Sequence, residues 1–140
     1  MKLNSFAYES LASQNKTEVA MFPSQASKQK FIETIKVCSK SMDICVYHLT
    51  DESVFQILVG HHNRGVKVRI ITDCDIKKYA QLGTLLYGKL IVKAPPKNKK
   101  GALMHNKFVI IDSKLMITGS MNLTKMGLNE NYENQVYVHE

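Results

Sequence analysis

Residues 105–112, "HNKFVIID", combine a short apolar run with polar side chains at both of its ends. The four consecutive apolar residues of "FVII" predict a buried β-strand. Side chains at positions i and i+2 of a strand point to the same side, so His105 and Lys107 are expected to project together from one end. Asp112 is seven residues from His105, and strict alternation places it on the other face. A structural or supporting role therefore fits Asp112 better than contact with a ligand held by His105.

A second polar group follows this strand along the chain, in the sequence "GSMN". Gly119 and Ser120 are small and end the next predicted strand, so a ligand can approach the backbone closely there. Asn122 adds an amide donor that is neutral at any pH. Glu133 precedes the last predicted strand and is a candidate partner for the second ring nitrogen of His105. These residues fall in the order H-x-K-x4-D-x6-G-S-x-N.

The composition is that of a globular domain with a basic balance. Hydrophobic residues make up 44% of the 140 positions and charged residues 22%. The chain has 19 Lys and Arg residues but only 12 Asp and Glu residues. A basic surface favours a polyanionic partner, either nucleic acid or an anionic membrane surface. No apolar run approaches the roughly 18 residues that span a bilayer, so neither an integral membrane segment nor a secretory signal peptide is expected. Three well-spaced cysteines indicate reduced thiols rather than a disulfide framework.

The order of predicted elements indicates one α/β domain. Strands alternate with helices in the first half of the chain, which favours parallel strands joined by right-handed helical crossovers, and a β-β-(α)-β segment follows. We therefore predict a single domain over 17–140, with a mixed, largely parallel sheet and helices on both faces, preceded by an arm over 1–16. The predicted strands are 17–23, 42–50, 66–73, 89–95, 106–112, 115–120 and 133–138, and the predicted helices are 25–39, 51–64 and 76–87.

The chemistry that this pattern favours is attack on phosphorus. A neutral imidazole such as that of His105 is a nucleophile, and its attack on a phosphodiester would give a phosphohistidine that water later resolves. Lys107 would balance the negative charge on the equatorial oxygens. Taken singly, a histidine near a strand is more often a hydrogen-bonded polar residue, and a Gly-Ser pair at a strand end is usually a turn. The fixed order of all these residues is what favours a catalytic site.

The combined pattern resembles the phospholipase D superfamily, whose signature is H-x-K-x4-D followed by G-S-x-N. "HNKFVIID" and "GSMN" match every fixed position, and "RGVKVRIITD" (64–73) and "ENQVYV" (133–138) also look like its small single-motif members. These members are bacterial phosphodiesterases and nucleases and the Zucchini or mitochondrial cardiolipin hydrolase-like proteins. The resemblance covers about residues 17–140. It implies a phospholipase D-like fold and metal-independent phosphodiester hydrolysis without a cofactor.

The resemblance also implies a role for each matching residue. His105 would be the nucleophile, Lys107 and Asn122 would bind the phosphate, and Ser120 would line the site with Gly119. Glu133 would orient the histidine, and Asp112 would support the catalytic set. A second histidine is needed to protonate the leaving oxygen. Members with one motif form a homodimer with the site across the two-fold axis, so two His105 side chains are expected to face each other. The other histidines are poor substitutes, because His48 is predicted within a strand, His61 and His62 at a helix end, and His139 near the terminus.

Two features of Zucchini-type members, an N-terminal membrane anchor and a zinc-binding insertion, have no counterpart among these residues. Cys38 and Cys45 lack the close pairing of structural zinc sites and are expected in the core. Asp73 and Asp75 of "DCD" could hold Mg²⁺, but a cap for the following helix is the expected use. We predict no metal site.

The loop "PPKNKKGA" (95–102) places three lysines shortly before His105. A solvated loop is the ordinary interpretation of such a run. Near a phosphodiesterase site, Lys97, Lys99 and Lys100 are instead expected to form a basic rim that attracts a polyanionic substrate.

Three functions agree with the sequence. The favoured one is a nuclease, acting as an endonuclease on DNA or RNA in a positively charged groove. The alternative is hydrolysis of an anionic phospholipid such as cardiolipin, which uses the same chemistry on another substrate. The third is a catalytically inactive dimer that binds nucleic acid. A cytoplasmic location is expected for the first, and the mitochondrial surface if the chain is Zucchini-like.

Overall fold

One mixed β-sheet organises the part of the chain that the computed structural model describes, which is residues 16–73, 90–93 and 102–140. Seven strands lie in it in the order β1-β7-β6-β5-β2-β3-β4. The strands are β1 (Thr17–Phe22), β2 (Ser41–Val46), β3 (Lys67–Thr72), β4 (Ile91–Lys93), β5 (Lys107–Ile111), β6 (Leu115–Gly119) and β7 (Glu133–His139).

The directions of the described strands correct one part of the predicted topology. Five strands run the same way, as a largely parallel sheet requires, but β5 and β7 run the opposite way and lie between β1 and β2. Parallel pairing is therefore confined to β2–β3 and β3–β4, while the four other pairs are antiparallel. The reason is that the C-terminal hairpin and β7 insert between the first two strands, which local crossover rules do not predict. The prediction of a mixed α/β sheet in one domain is confirmed.

Three described helices begin at capping side chains. Helix α1 (Gln25–Lys36) begins after Ser24, whose hydroxyl accepts the Ser27 N–H at 3.3 Å. Helix α2 (Glu52–Asn63) begins after Asp51, whose carboxylate accepts two N–H groups of the first turn. Helix α3 (Lys125–Asn129) begins after Thr124 in the same way. Each cap satisfies donors that would otherwise have no partner inside the helix.

The core lies between these helices and one face of the sheet. Burial alternates strictly along β2 and β3, and their buried apolar side chains form one cluster with Phe31 and Ile35 of α1 and with Phe55 and Leu58 of α2. A fully buried side chain of this size contributes about 1.5–3 kcal/mol. All three described helices pack on this side, and the predicted helix 76–87 lies outside the described residues. The arm is likewise undescribed over 1–15.

The sheet topology brings several of the predicted site residues, but not Asp112, to one end of the strands. Lys107 at the start of β5 pairs with Val46 at the end of β2, and Phe22 at the end of β1 pairs with Glu133 at the start of β7. The carboxyl end of β6, at Gly119, reaches the same end of the sheet. Ligands of open α/β sheets bind at the carboxyl ends of strands, so this end is the natural location for a site.

Candidate phosphodiesterase site

His105 and Lys107 lie side by side at the mouth of β5. The Lys107 Nζ atom is 3.2 Å from Nδ1 and 3.3 Å from Nε2 of the exposed His105 ring, and it donates to the His105 carbonyl oxygen at 2.9 Å. Lys107 shares its side of the strand with the buried Val109, so its aliphatic part lies above the core. Burial lowers the pKa of Lys107, and the Glu133 carboxylate partly opposes this effect. The pair presents an accessible nucleophile beside a fixed cation.

Tyr47 and His48 form an aromatic wall next to this pair. The Tyr47 ring lies 4.8 Å from the His105 ring centre and 5.7 Å from the Lys107 ammonium, and it stacks on His48 at 4.1 Å. Burial lowers the pKa of the His48 imidazole, and the Asp73 carboxylate opposes the change. Lys107 and His105 add to the lowering of this pKa. A second imidazole of the same chain therefore lies in the electrostatic field of the candidate nucleophile.

This position of His48 corrects the prediction that it lies inside a strand. Strand β2 ends at Val46, and the next residues leave the sheet to meet the segment after β6, where Leu49 forms a parallel bridge with Leu123. The apolar alternation of 42–50 continues past the true end, which is why the pattern extended the strand too far. No local signal in the sequence identifies Tyr47 and His48 as neighbours of His105, because their nearness depends on the pairing of β2 with β5.

Asn122 connects the "GSMN" segment to this wall. Its Oδ1 atom accepts the His48 backbone N–H at 3.1 Å, and the Leu123 N–H donates to the His48 carbonyl oxygen at 3.1 Å. Since the carboxamide oxygen accepts the His48 N–H, the side-chain amide nitrogen of Asn122 is the group that can donate to an anion. The residue thus joins the two loops that carry the site.

Ser120 and Glu133 are joined directly. The Ser120 hydroxyl donates to Glu133 Oε2 and accepts the Asn134 N–H at 3.0 Å, and the Asn131 side chain donates to Glu133 Oε1 at 3.3 Å. In this single chain the hydrogen bonds of the Glu133 carboxylate therefore go to Ser120 and Asn131. Gly119 fits because a Cβ atom there would lie 2.2 Å from the Asn134 carbonyl oxygen.

Asp112 lies at the opposite end of β5, roughly 20 Å along the strand direction from His105. Its carboxylate accepts the backbone N–H groups of Ser39 (3.0 Å), Lys40 (2.7 Å) and Ser41 (2.9 Å). Although burial opposes ionisation, these N–H groups and the Cys38 thiol lower the pKa of Asp112 to about 2. The structure does not bring Asp112 together with the other predicted catalytic residues, and its contacts are those of a structural clamp.

A tight turn also depends on Asp112. Asp112 and Ser113 both adopt left-handed backbone conformations, with φ of 53° and 57°, and the Lys114 N–H closes the turn by donating to the Ile111 carbonyl oxygen at 3.0 Å. Aspartate tolerates this region better than most residues. The predicted hairpin over 106–120 is confirmed, with Asp112 at its tip.

The remaining predicted residues lie outside the described part of the chain. These are Lys97, Lys99 and Lys100 of the lysine loop and Asp75 of "DCD". Asp73 is described, and its carboxylate accepts the Met104 N–H at 3.1 Å. Across residues 16–73, 90–93 and 102–140, no group of three or more His, Cys, Asp or Glu side chains could hold a metal ion. The described helices also include none that is long and apolar enough to cross a membrane.

The site as built can bind and attack an anionic ester. The exposed His105 imidazole, the Lys107 ammonium, the Asn122 amide and the Ser120 hydroxyl all lie at this end of the sheet, and the Tyr47 ring lies beside the imidazole. Cationic and neutral donors of this kind stabilise negative charge that develops on phosphoryl oxygens.

Comparison with known proteins agrees with this geometry. A family model described as "Cardiolipin synthase, PLD-like domain" matches residues 31–140. A mitochondrial cardiolipin hydrolase from Chlamydomonas reinhardtii is 34% identical over 116 residues, covering 77% of this chain and 48% of the relative. The chain thus spans about half the length of such curated relatives.

Two solved structures share the fold. NucT from Helicobacter pylori superimposes with a TM-score of 0.72 at 22% identity, covering 89% of this chain and 87% of that one. Nuc from Salmonella typhimurium, a phospholipase D family member, gives a TM-score of 0.71 at 23% identity, with 89% and 83% covered. With its ordered motif, its sheet and a family match that covers most of its length, the chain belongs to the phospholipase D superfamily.

Proposed function

We propose that this chain is a metal-independent phosphodiesterase, a nuclease that hydrolyses DNA or RNA through a phosphohistidine on His105. The observation that carries the proposal is the exposed His105 imidazole with the Lys107 ammonium within 3.3 Å of both ring nitrogens. That arrangement supports a nucleophile whose target is an anion, because the ammonium can hold and neutralise it.

The reaction proceeds in two displacements. A ring nitrogen of His105 attacks phosphorus, a P–N bond forms, and the P–O bond to the leaving oxygen breaks as that oxygen takes up a proton. Water then attacks phosphorus and gives a proton to the group that protonated the leaving oxygen, the P–N bond breaks, and a phosphomonoester leaves the restored imidazole. Lys107 and the Asn122 amide stabilise the negative oxygens, and Ser120 lines the site beside Glu133.

The proton for the leaving oxygen comes from a second His105 in a homodimer. The chain carries the motif once, and a two-fold interface brings the same residue of two chains together. The exposure of His105 just before the start of β5 supports this arrangement, since a second copy can approach it there. Glu133 lies near Lys107 and would orient the histidine of the assembled site.

Nucleic acid is the proposed substrate because the chain carries a formal net charge of +7. Positive charge attracts the phosphate backbone irrespective of sequence and speeds association. The similarity in fold to NucT and Nuc supports the same choice.

Hydrolysis of an anionic phospholipid is the second candidate. Relatives named mitochondrial cardiolipin hydrolase favour it. So do the exposed side chains of Leu103, two residues before His105, and Met126 of α3, which could touch an apolar surface.

The deciding experiment incubates the purified chain with single-stranded DNA, RNA, plasmid and cardiolipin vesicles in excess EDTA. Cleavage of nucleic acid in EDTA is expected, and the His105→Asn variant should bind the same oligonucleotide without cutting it. Quenching with denaturant at alkaline pH during turnover should preserve a nucleotide–phosphate adduct on His105, because acid hydrolyses a P–N bond and alkali does not, and mass spectrometry should detect that adduct. A folded, dimeric wild-type protein that cleaves none of the four substrates would refute the proposal, and an active monomer in gel filtration would refute the shared site.

A further inference from the structure

Tyr132 is a solvent-facing aromatic side chain at the border of the candidate site. Its exposed fraction is 94%, the highest among the exposed large hydrophobic side chains of the described residues. It directly precedes Glu133, whose carboxylate accepts the Ser120 hydroxyl. An aromatic ring can bury about 150–250 Å² when it finds a partner, so most of this surface is available for one.

The backbone on both sides of Tyr132 is held in place. The Asn131 N–H donates to the Met126 carbonyl oxygen at 2.9 Å, and the Asn131 side chain donates to Glu133. On the other side, the Asn134 N–H donates to the Ser120 hydroxyl at 3.0 Å. The ring is therefore presented from a fixed support, which reduces the entropy that a partner's binding must overcome.

We propose that Tyr132 stacks on a base of single-stranded nucleic acid whose neighbouring phosphate lies at His105, an inference that rests on the proposed nuclease function. Every base offers a π-face to an aromatic side chain, and the base must be unpaired to do so. The neighbours of Tyr132 are Glu130, Asn131 and Glu133, which are polar or acidic. Such neighbours disfavour insertion of the ring into a lipid interface, where apolar side chains would surround it.

The absence of tryptophan from the sequence allows a direct test. Tyr132→Trp in the His105→Asn background places the chain's one tryptophan at the proposed stacking position, where it can be excited selectively over the remaining tyrosines. Titration with a ten-residue oligothymidylate is expected to quench its emission with saturation. An oligonucleotide of equal length and charge built from abasic sites should leave the emission unchanged.

The matched control is Val37→Trp in the same background. Val37 is 52% exposed and directly follows α1. It is next to the segment that Asp112 binds, at the end of the strands opposite to the candidate site. Its emission should not respond to either oligonucleotide, which would confirm that quenching reports contact at Tyr132 rather than nonspecific binding.

Kinetics provide a second arm. Tyr132→Ala should raise KM for the oligonucleotide roughly 10-fold with little change in kcat, and Tyr132→Phe should restore it, because stacking uses the ring and not the hydroxyl. Val37→Ala should behave as the wild type.

The outcomes separate the inference from the function beneath it. If the wild type cleaves no nucleic acid, the nuclease proposal fails. If the wild type and Tyr132→Ala cleave with equal KM, or if the abasic oligonucleotide quenches equally well, the stacking role alone is overturned. A blue shift in the emission of the Tyr132→Trp protein with cardiolipin vesicles would overturn it in favour of lipid contact. A blue-shifted emission that responds to no ligand would instead place this side chain in a protein interface and also overturn it.

Discussion

The side-chain oxygen of Asn122 accepts the backbone N–H of His48 at 3.1 Å, so the loop after β6 holds the loop after β2. Asn122→Ala should lower the free energy of unfolding by about 1–2 kcal/mol, since a half-buried donor loses its acceptor. Asn122→Asp keeps an acceptor for His48 but adds negative charge where the substrate phosphate is proposed. We expect it to retain most of the stability while kcat/KM falls at least about 10-fold.

Urea denaturation and steady-state kinetics on the same preparations would separate these two roles of Asn122. If Asn122→Asp loses stability as severely as Asn122→Ala, the hydrogen bond to His48 is not what the residue contributes. If Asn122→Asp keeps full activity, the residue does not face the phosphate.

The pKa of Lys107 is lowered by burial, and this sets an expected limit on activity at high pH. Because the proposed mechanism has the cation hold the phosphate, kcat/KM should fall as Lys107 deprotonates, with a midpoint below the ordinary lysine value of about 10.4. Lys107→Arg stays protonated throughout, so its profile should lose that alkaline decline even if its activity is lower. A decline of equal midpoint in the arginine variant would assign it to another group.

His48 stacks on Tyr47 at 4.1 Å, and Tyr47 in turn lies against His105. His48→Ala removes the stacked ring and should lower single-turnover rates, because Tyr47 loses the support that holds it beside the nucleophile. His48→Phe preserves a flat ring and should recover most of the rate if the role is positioning. If His48→Phe is as slow as His48→Ala while both proteins are folded, the result would instead point to proton transfer by the imidazole.

The Asp112 clamp makes stability depend on pH in a defined direction. In the unfolded chain the carboxyl titrates near 3.9, and in the folded chain its pKa is about 2. Since the folded value is the lower one, the stabilisation is present above about pH 4 and is lost as the pH falls toward 2. The difference between the two pKa values corresponds to about 2.6 kcal/mol at most, and solvent screening of this partly exposed carboxylate reduces the contribution at neutral pH to about 1–2 kcal/mol.

Asp112→Asn should therefore unfold more easily at pH 7, and its deficit relative to the wild type should shrink between pH 4 and pH 2. Asp43→Asn is a matched control, because Asp43 pairs with the exposed Arg69 and such pairs contribute little. Urea titrations across this pH range would measure the difference. A deficit that does not change with pH would show that the charge of Asp112 is not responsible.

The local elements of this fold could be predicted from the sequence. The apolar run of "FVII" marks β5, the turn after Asp112 makes a hairpin, and capping residues such as Ser24 and Asp51 mark helix starts. These features depend on neighbours within a few positions, which a single sequence contains. The edge position of β1 beside β7 could not be predicted, because it joins residues more than 100 positions apart and alternation specifies a face but no partner.

The site shows the same division. Spacing placed His105 and Lys107 together at a strand end and left Asp112 away from them, and the structure agrees on both points. The separation of Asp112 from His105 arises from the length of β5, however, since the two residues lie at opposite ends of that strand. The positions of Tyr47 and His48 beside His105 could not be predicted, because they depend on the pairing of β2 with β5, which no local pattern encodes.

The two ends of "HNKFVIID" have different roles, since His105 is the proposed nucleophile and Asp112 binds the backbone of residues 39–41. A relative in which another residue replaces this histidine, and which is therefore inactive, would still need an aspartate at the position of Asp112 to bind the backbone of residues 39–41. Survival of that aspartate in a degenerate copy of the motif is therefore a record of shared architecture and carries no information about whether the copy is an enzyme.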